Sequence, residues 1–227
     1  MTDSVSQQVY SLDYINQRQG FYNKVLFFFG LALAVSAGGV YVGFRYGLPI
    51  FVAQPNLIWV VYILELVLIF TSRMWSRKRP LNYFLFALFT FATGLTLVPL
   101  LASFVIEFGT GFLTKALMAT TTTFLATALI GWTARRSFAG LGSFLLVSLI
   151  GFIIVSLIGV FIPWNNSIEM FVSGFGVVIF SAFTMYDIQR IKEYPEEYYI
   201  DAALNLYLDI FNLFIYILRF FGALNRN

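Results

Sequence analysis

Residues 202–221 read AALNLYLDIFNLFIYILRFF. At about 1.5 Å rise per residue, a helix of this length covers roughly 30 Å, the hydrocarbon thickness of a bilayer. The stretch is apolar except along one stripe. Asn205, Asp209, Asn212 and Tyr216 recur at i, i+4, i+7 and i+11, one face of a 3.6-residue helix. An ionised carboxylate at that depth costs on the order of 2.5–3.5 kcal/mol against lipid, so Asp209 is expected to face protein or water. The segment reads as the central helix of a membrane bundle, its stripe turned to a buried pathway or site. The alternative is a stripe that only hydrogen-bonds helices together.

Composition sets the class. Of 227 residues, 59% are hydrophobic and 19% aromatic, only 11% are charged, and the mean hydropathy is +0.82. Soluble chains carry roughly 25% charged residues, so this is read as an all-α integral membrane protein. Cysteine and histidine are absent. That removes disulfides, thiolate nucleophiles, imidazole bases, haem ligation by histidine and the usual zinc sites, and leaves acid–base work to carboxylates. No enzyme activity is expected. The net charge of +3 comes without a basic tail, so no nucleic-acid partner is expected either.

Residues 1–23 are polar and read as a short cytoplasmic arm, with Val5, Val9, Leu12 and Ile15 offering at most a weak surface helix. Residues 24–227 read as one domain of seven transmembrane helices. The first span is Val25–Phe44, an anchor rather than a signal peptide because its apolar run starts late and continues past Ala32–Ala34. Gly47, Pro49 and Pro55 are expected to break the chain. Leu57–Ser72 forms the second span and contains Glu65; Arg73, Arg77, Lys78 and Arg79 follow, ended by Pro80. Leu81–Phe104 and Phe112–Ala134 are the third and fourth. The threonines at 120–123 and 127 read as packing, bonded back to their own helix. Leu141–Ile162 is the fifth span, with Gly142, Gly151 and Gly159 permitting close approach. Pro163 and Trp164 turn the chain, and Asn166 with Glu169 resembles a capping box for the sixth span, Met170 to about Gln189. A polar link, Ile191–Asp201, leads to the stretch quoted first.

Seven spans place ten basic residues on the side of the N-terminal arm (Arg18, Lys24, Arg73, Arg77, Lys78, Arg79, Arg135, Arg136, Arg190, Lys192) and four on the other (Arg45, Lys115, Arg219, Arg226). The excess puts the N-terminus in the cytoplasm and the C-terminus outside. Arg219 is expected to snorkel to the outer interface.

Only Glu65, Asp187 and Asp209 of the eleven acidic residues fall within or at the edge of spans. Asp187 and Asp209 come to similar depth from consecutive helices. Two carboxylates close together in a dry site cannot both ionise cheaply, so they share a proton and titrate as a unit. The pair is thus a candidate pH sensor. When ionised it presents hard oxygens of the kind Ca²⁺ prefers, to which Asn205, Asn212, backbone carbonyls or water would add. A site that needs water suits passage better than storage. Arg73 continues the face of Glu65 and is a candidate latch, a counter-charge to the pair; its alternative role is a headgroup anchor, and that of Glu65 a structural hydrogen bond.

Residues 181–191, SAFTMYDIQRI, residues 203–214, ALNLYLDIFNLF, and residues 94–100, GLTLVPL, together with the Glu65 helix, resemble the bacterial branch of the transmembrane Bax inhibitor motif family. The resemblance covers nearly the whole chain after the arm. It implies helix hairpins around a central seventh helix, and a pH-sensitive calcium leak channel in a bacterial inner (plasma) membrane. Carried over, the pH sensor, ion pathway and metal-contacting pair are Asp187 and Asp209, with Ca²⁺ as permeant ion and no permanently bound cofactor. The latch position implied by the family falls on Ser76, not on a basic residue, which leaves Arg73 or its neighbour Arg77 for that role. A second reading is a membrane-embedded regulator of another membrane protein, such as a protease. An aspartyl protease is disfavoured because Leu206–Asp209 lacks the Gly-x-Gly-Asp pattern, and a retinal receptor because the seventh span has no lysine.

Overall fold

The computed structural model describes residues 2–161 and 165–226, with side chains from residue 16 onward except 156, 157, 160 and 161. Among the described residues there are helices and short turns and no strand.

α1 (Thr2–Val42) takes in the N-terminal arm and runs on into the first span without a break at residue 23. The expected break at Gly47–Pro49 does not occur. The chain winds through a π-helical turn, Gly43–Gly47, into α2 (Leu48–Ala53), giving a continuous apolar helix from Asn16 to Ala53. Pro49 falls in the first turn of α2, where its missing N–H costs little, and the wider turn ahead of it absorbs the mismatch. The break comes at Gln54–Pro55.

α3 (Asn56–Phe70) has 15 residues. It ends where the Thr71 hydroxyl bonds back to the Val67 carbonyl at 2.6 Å, and a single turn, α4 (Ser72–Trp75), follows. At about 1.5 Å per residue α3 is shorter than the hydrocarbon layer. α5 (Leu81–Phe108) holds Pro99 inside it, and Gly109, at φ +79°, makes the left-handed turn into α6 (Thr110–Thr133). α7 is Gly142–Phe161; the turn expected at Pro163 and Trp164 lies outside the described residues. α8 is Asn166–Ile191 and α9 is Tyr199–Asn225, so the last helix begins before the stretch the sequence marks.

Five of these runs are long and apolar enough to cross a membrane: Asn16–Ala53, Leu81–Phe108, Thr110–Thr133, Asn166–Ile191 and Glu196–Asn225. The expected second span corresponds to the shorter apolar helix Asn56–Phe70, and the expected fifth to α7, whose apolar run is described over Ala139–Val155. The chain is an all-helical integral membrane protein. No residue of α9 from 199 to 223 is exposed.

The chain forms two compact units, Met1–Pro99 with Tyr194–Leu204, and Leu100–Glu193 with Asn205–Asn227. In the first, α1 and α5 approach through missing side chains: a Cβ on Gly94 would lie 2.0 Å from the Ser36 carbonyl oxygen. In the second, α6 and α8 pack closely, and a Cβ on Gly131 would lie 2.5 Å from the Met185 carbonyl oxygen. Gly142 sits against the Tyr186 hydroxyl, as close approach requires, whereas Gly151 faces open space. The hydroxyls of Thr120 and Thr127 bond to carbonyls four residues back, at 2.7 and 2.8 Å.

The start of α8 differs from the expected capping box. Asn165, not Asn166, is the cap, its side-chain oxygen accepting from the Ile168 N–H at 2.9 Å. Asn166 donates instead to the Ala223 carbonyl at 2.8 Å, and Glu169 turns away to Arg219.

Candidate functional site

The two aspartates lie in the same unit. α8 carries Asp187 four turns past the Ser173 that follows its N-terminus, and its Thr184 hydroxyl bonds back to the Phe180 carbonyl at 2.9 Å, so the polar group one turn before the acid is internally satisfied. α9 carries Asp209. Both carboxylates are buried, with 6% and 4% of the residue exposed, and the charge of Asp187 acts on Asp209. Asp209 Oδ2 has no hydrogen-bond partner among the described residues. A buried carboxylate oxygen in that condition is costly unless a proton, cation or water meets it, and such groups concentrate where function needs them.

The rest of the α9 stripe divides. Asn205 is half-buried. Asn212 spends its amide on the Leu208 carbonyl of its own helix at 2.7 Å. Tyr216 is buried and its ring packs on Phe180 at 5.4 Å and Phe152 at 5.2 Å, facing Gly176, where a Cβ would meet it at 2.4 Å. Tyr216 is thus part of a tightly packed aromatic cluster. The cation whose charge reaches Asp187 inside this unit is Arg190, three residues further along α8, which also lies over the Tyr186 ring at 5.9 Å. The sequence reads Arg190 as a charge of the N-terminal side and as part of the 181–191 stretch; its i+3 spacing from Asp187 is the signal that marks it as a neighbour.

In the other unit, Glu65 accepts a hydrogen bond from the Thr96 hydroxyl at 2.7 Å, so the structural alternative for Glu65 has a concrete partner. Arg73 is exposed, and the carboxylate its charge acts on is Asp201, together with Arg77. Asp201 sits in the first turn of α9 beside the fully buried Ser76; neither Ser76 Oγ nor Asp201 Oδ2 completes a hydrogen bond among the described residues. The sequence places Asp201 at the end of the polar link, whereas the structure puts it on the helix. Ser76, the position the resemblance marks for a latch, thus lies beside Asp201.

Two ion pairs close the other end of the second unit. Arg219 donates to both oxygens of Glu169, at 2.6 and 3.2 Å, rather than snorkelling alone. Arg226 makes the same forked contact with Glu107, and that bond raises the guanidinium pKa above its ordinary value. Among the described residues no cluster of three or more acidic, histidine or cysteine ligands occurs, so the aspartate pair stands as a two-carboxylate site.

A sequence profile for the family described as "Inhibitor of apoptosis-promoting Bax1" matches residues 18–226. The chain is 35% identical over 175 residues to the Golgi anti-apoptotic protein of Vaccinia virus (strain Lister), covering 76% of this chain and 71% of that one. It is 33% identical to Bax inhibitor 1 of Schizosaccharomyces pombe, covering 77% of this chain and 64% of that one. It is 30% identical to the inner membrane protein YbhL of Escherichia coli, covering 72% of each.

Proposed function

The chain belongs to the Bax inhibitor-1 family, and on that premise we propose that it is a pH-sensitive calcium leak channel, gated by the proton-sharing pair Asp187 and Asp209. The observation that carries this reading is the burial of both carboxylates on consecutive helices of one unit, with one oxygen of Asp209 left without a partner among the described residues. When the pair holds a proton, its reduced charge lets it rest in a dry interior. When it is ionised, its oxygens attract a divalent cation, which is the permeant ion and not a resident cofactor. Arg190 replaces Arg73 as the counter-charge to the pair, since its charge already reaches Asp187. Arg73 and Arg77 instead restrain Asp201 at the start of α9.

The chain takes seven spans in this reading, α3 and α7 crossing with the five longer runs, and hairpins surround α9. The basic residues then orient the N-terminus to the cytoplasm and the C-terminus outside. Flux is highest at intermediate pH. Acid removes the charge that attracts Ca²⁺, and alkali leaves both aspartates ionised for Arg190 to hold. Purified protein in liposomes should release trapped Ca²⁺ faster than empty liposomes, and Asp209→Asn should change the rate; release equal to that of empty liposomes refutes a channel.

The names of the viral and yeast relatives favour a second reading, a membrane-embedded regulator of another membrane protein. It requires no ion path. A partner that co-purifies stoichiometrically, undisturbed by Asp187→Asn with Asp209→Asn, would establish it.

A further inference from the structure

A second site, independent of the aspartate pair, gathers on Tyr199. This residue opens α9 and is only 3% exposed. Its hydroxyl accepts a hydrogen bond from Arg79 Nε at 3.0 Å and lies 3.0 Å from the Tyr83 hydroxyl. Its ring also collects two cations. The Arg79 guanidinium lies 5.3 Å and the Lys24 ammonium 5.8 Å from the ring centre, so the two charges lie within about 11 Å of each other. Phe28 backs the arrangement, stacked on Tyr83 at 5.4 Å and tilted against Tyr199 at 5.4 Å. All of these residues belong to one unit.

Among the described residues the cluster has cations and no carboxylate paired with them. Among the described residues neither Lys24 nor Arg79 forms an ion pair, and the groups acting on Arg79 are tyrosine hydroxyls, with no carboxylate among them. Two like charges held against one ring repel each other, and the fold tolerates them because both reach solvent. Their position along the chain indicates what neutralises them. Lys24 stands where the apolar run of α1 begins, and Arg79 one residue before Pro80 and the start of α5. Just inside that level each helix shows an exposed apolar side chain: Phe27, 65% exposed, on α1 and Phe84, 66% exposed, on α5. A charged head at the level of two cations with hydrocarbon directly beneath it is the anatomy of a phospholipid.

We infer that Lys24 and Arg79, posed on Tyr199, bind the phosphodiester of an anionic phospholipid, whose acyl chains lie against Phe27 and Phe84. A zwitterionic lipid presents the same phosphate but brings its own cation to a site that already holds two. A free phosphate has the charge but gains nothing from the apolar faces.

Native mass spectrometry of the full chain, titrated with phosphatidylglycerol or phosphatidylcholine in detergent, tests this. The wild type should retain phosphatidylglycerol in preference to phosphatidylcholine. Lys24→Gln combined with Arg79→Gln should weaken that retention roughly ten- to thirtyfold, from the loss of two interfacial charges. Arg135→Gln combined with Arg136→Gln, which removes two basic residues elsewhere, should leave it unchanged. If the double variant fails to fold, Lys24→Gln alone, at an exposed helix position, should still weaken retention several-fold. Equal retention of both lipids, undiminished retention in the Lys24 variant, or full displacement by inorganic phosphate at matched concentration would each overturn the assignment.

Discussion

Thr96 is the donor on which Glu65 depends, and its hydroxyl is the group that makes a carboxylate tolerable on an otherwise apolar helix. Thr96→Val keeps the shape and removes that hydrogen bond, so it should lower stability by about 1–3 kcal/mol, while Thr96→Ser should recover most of the loss. Unfolding in mixed micelles, followed by helix circular dichroism, measures both. Arg219 and Glu169 are different because each retains some exposure, 33% and 18% of the side chain. A double-mutant cycle with Arg219→Gln and Glu169→Gln should give a coupling of about 1 kcal/mol or less, smaller still at high salt. At this scale the legibility of the sequence followed its contrast. Asp209 stands out because the residues on either side of it are apolar, and Asp187 because it ends a long apolar run. Asp201, Glu107 and Glu169 do not, because charges in the first or last turn of a helix look the same in sequence as charges in a loop. Their partners lie about 50 or more residues away in sequence, so only the fold reveals them.

Among elements, the contact of α6 with α8 sets where Asp187 can stand. Gly131 meets the Met185 backbone two residues before that acid, so any side chain there must push a helix and not a flexible tip. Gly131→Val should lower the melting temperature markedly and disturb Asp187-dependent flux, whereas Gly151→Ala, facing open space, should leave both near wild type. Thermal unfolding and liposome flux on the two variants provide the check. Hydropathy located six of the seven apolar runs within a few residues. It misplaced the end of the first because proline and glycine were read as breakers, whereas a π-helical turn and a helix N-terminus accommodate them. It also smoothed over the break at Thr71, since threonine and serine carry little hydropathic signal.

For the whole molecule, the absence of cysteine makes topology directly measurable, because single cysteines label without background. Gln54→Cys and Lys78→Cys flank α3 and α4. If this short segment crosses, an impermeant thiol reagent should label the first from outside and the second only after the cytoplasmic side is opened. Labelling of both from one side would remove α3 from the spans. Ser137→Cys should be cytoplasmic and Asn225→Cys external. Composition and the repeated long apolar runs were enough to read an all-helical membrane protein. They were not enough to decide whether α3, at 15 residues, spans, since that depends on how far tilt, bilayer thinning and the turn of α4 extend it.

The account rests on Asp187 and Asp209 working as one unit, and calcium efflux from liposomes across a pH series, for wild type, Asp187→Asn, Asp209→Asn and the double variant, tests that most directly. The two single variants and the double should lose the pH response to the same extent, because removing either carboxylate removes the pair. A pH response that survives in either single variant, or losses that simply add in the double, would contradict it.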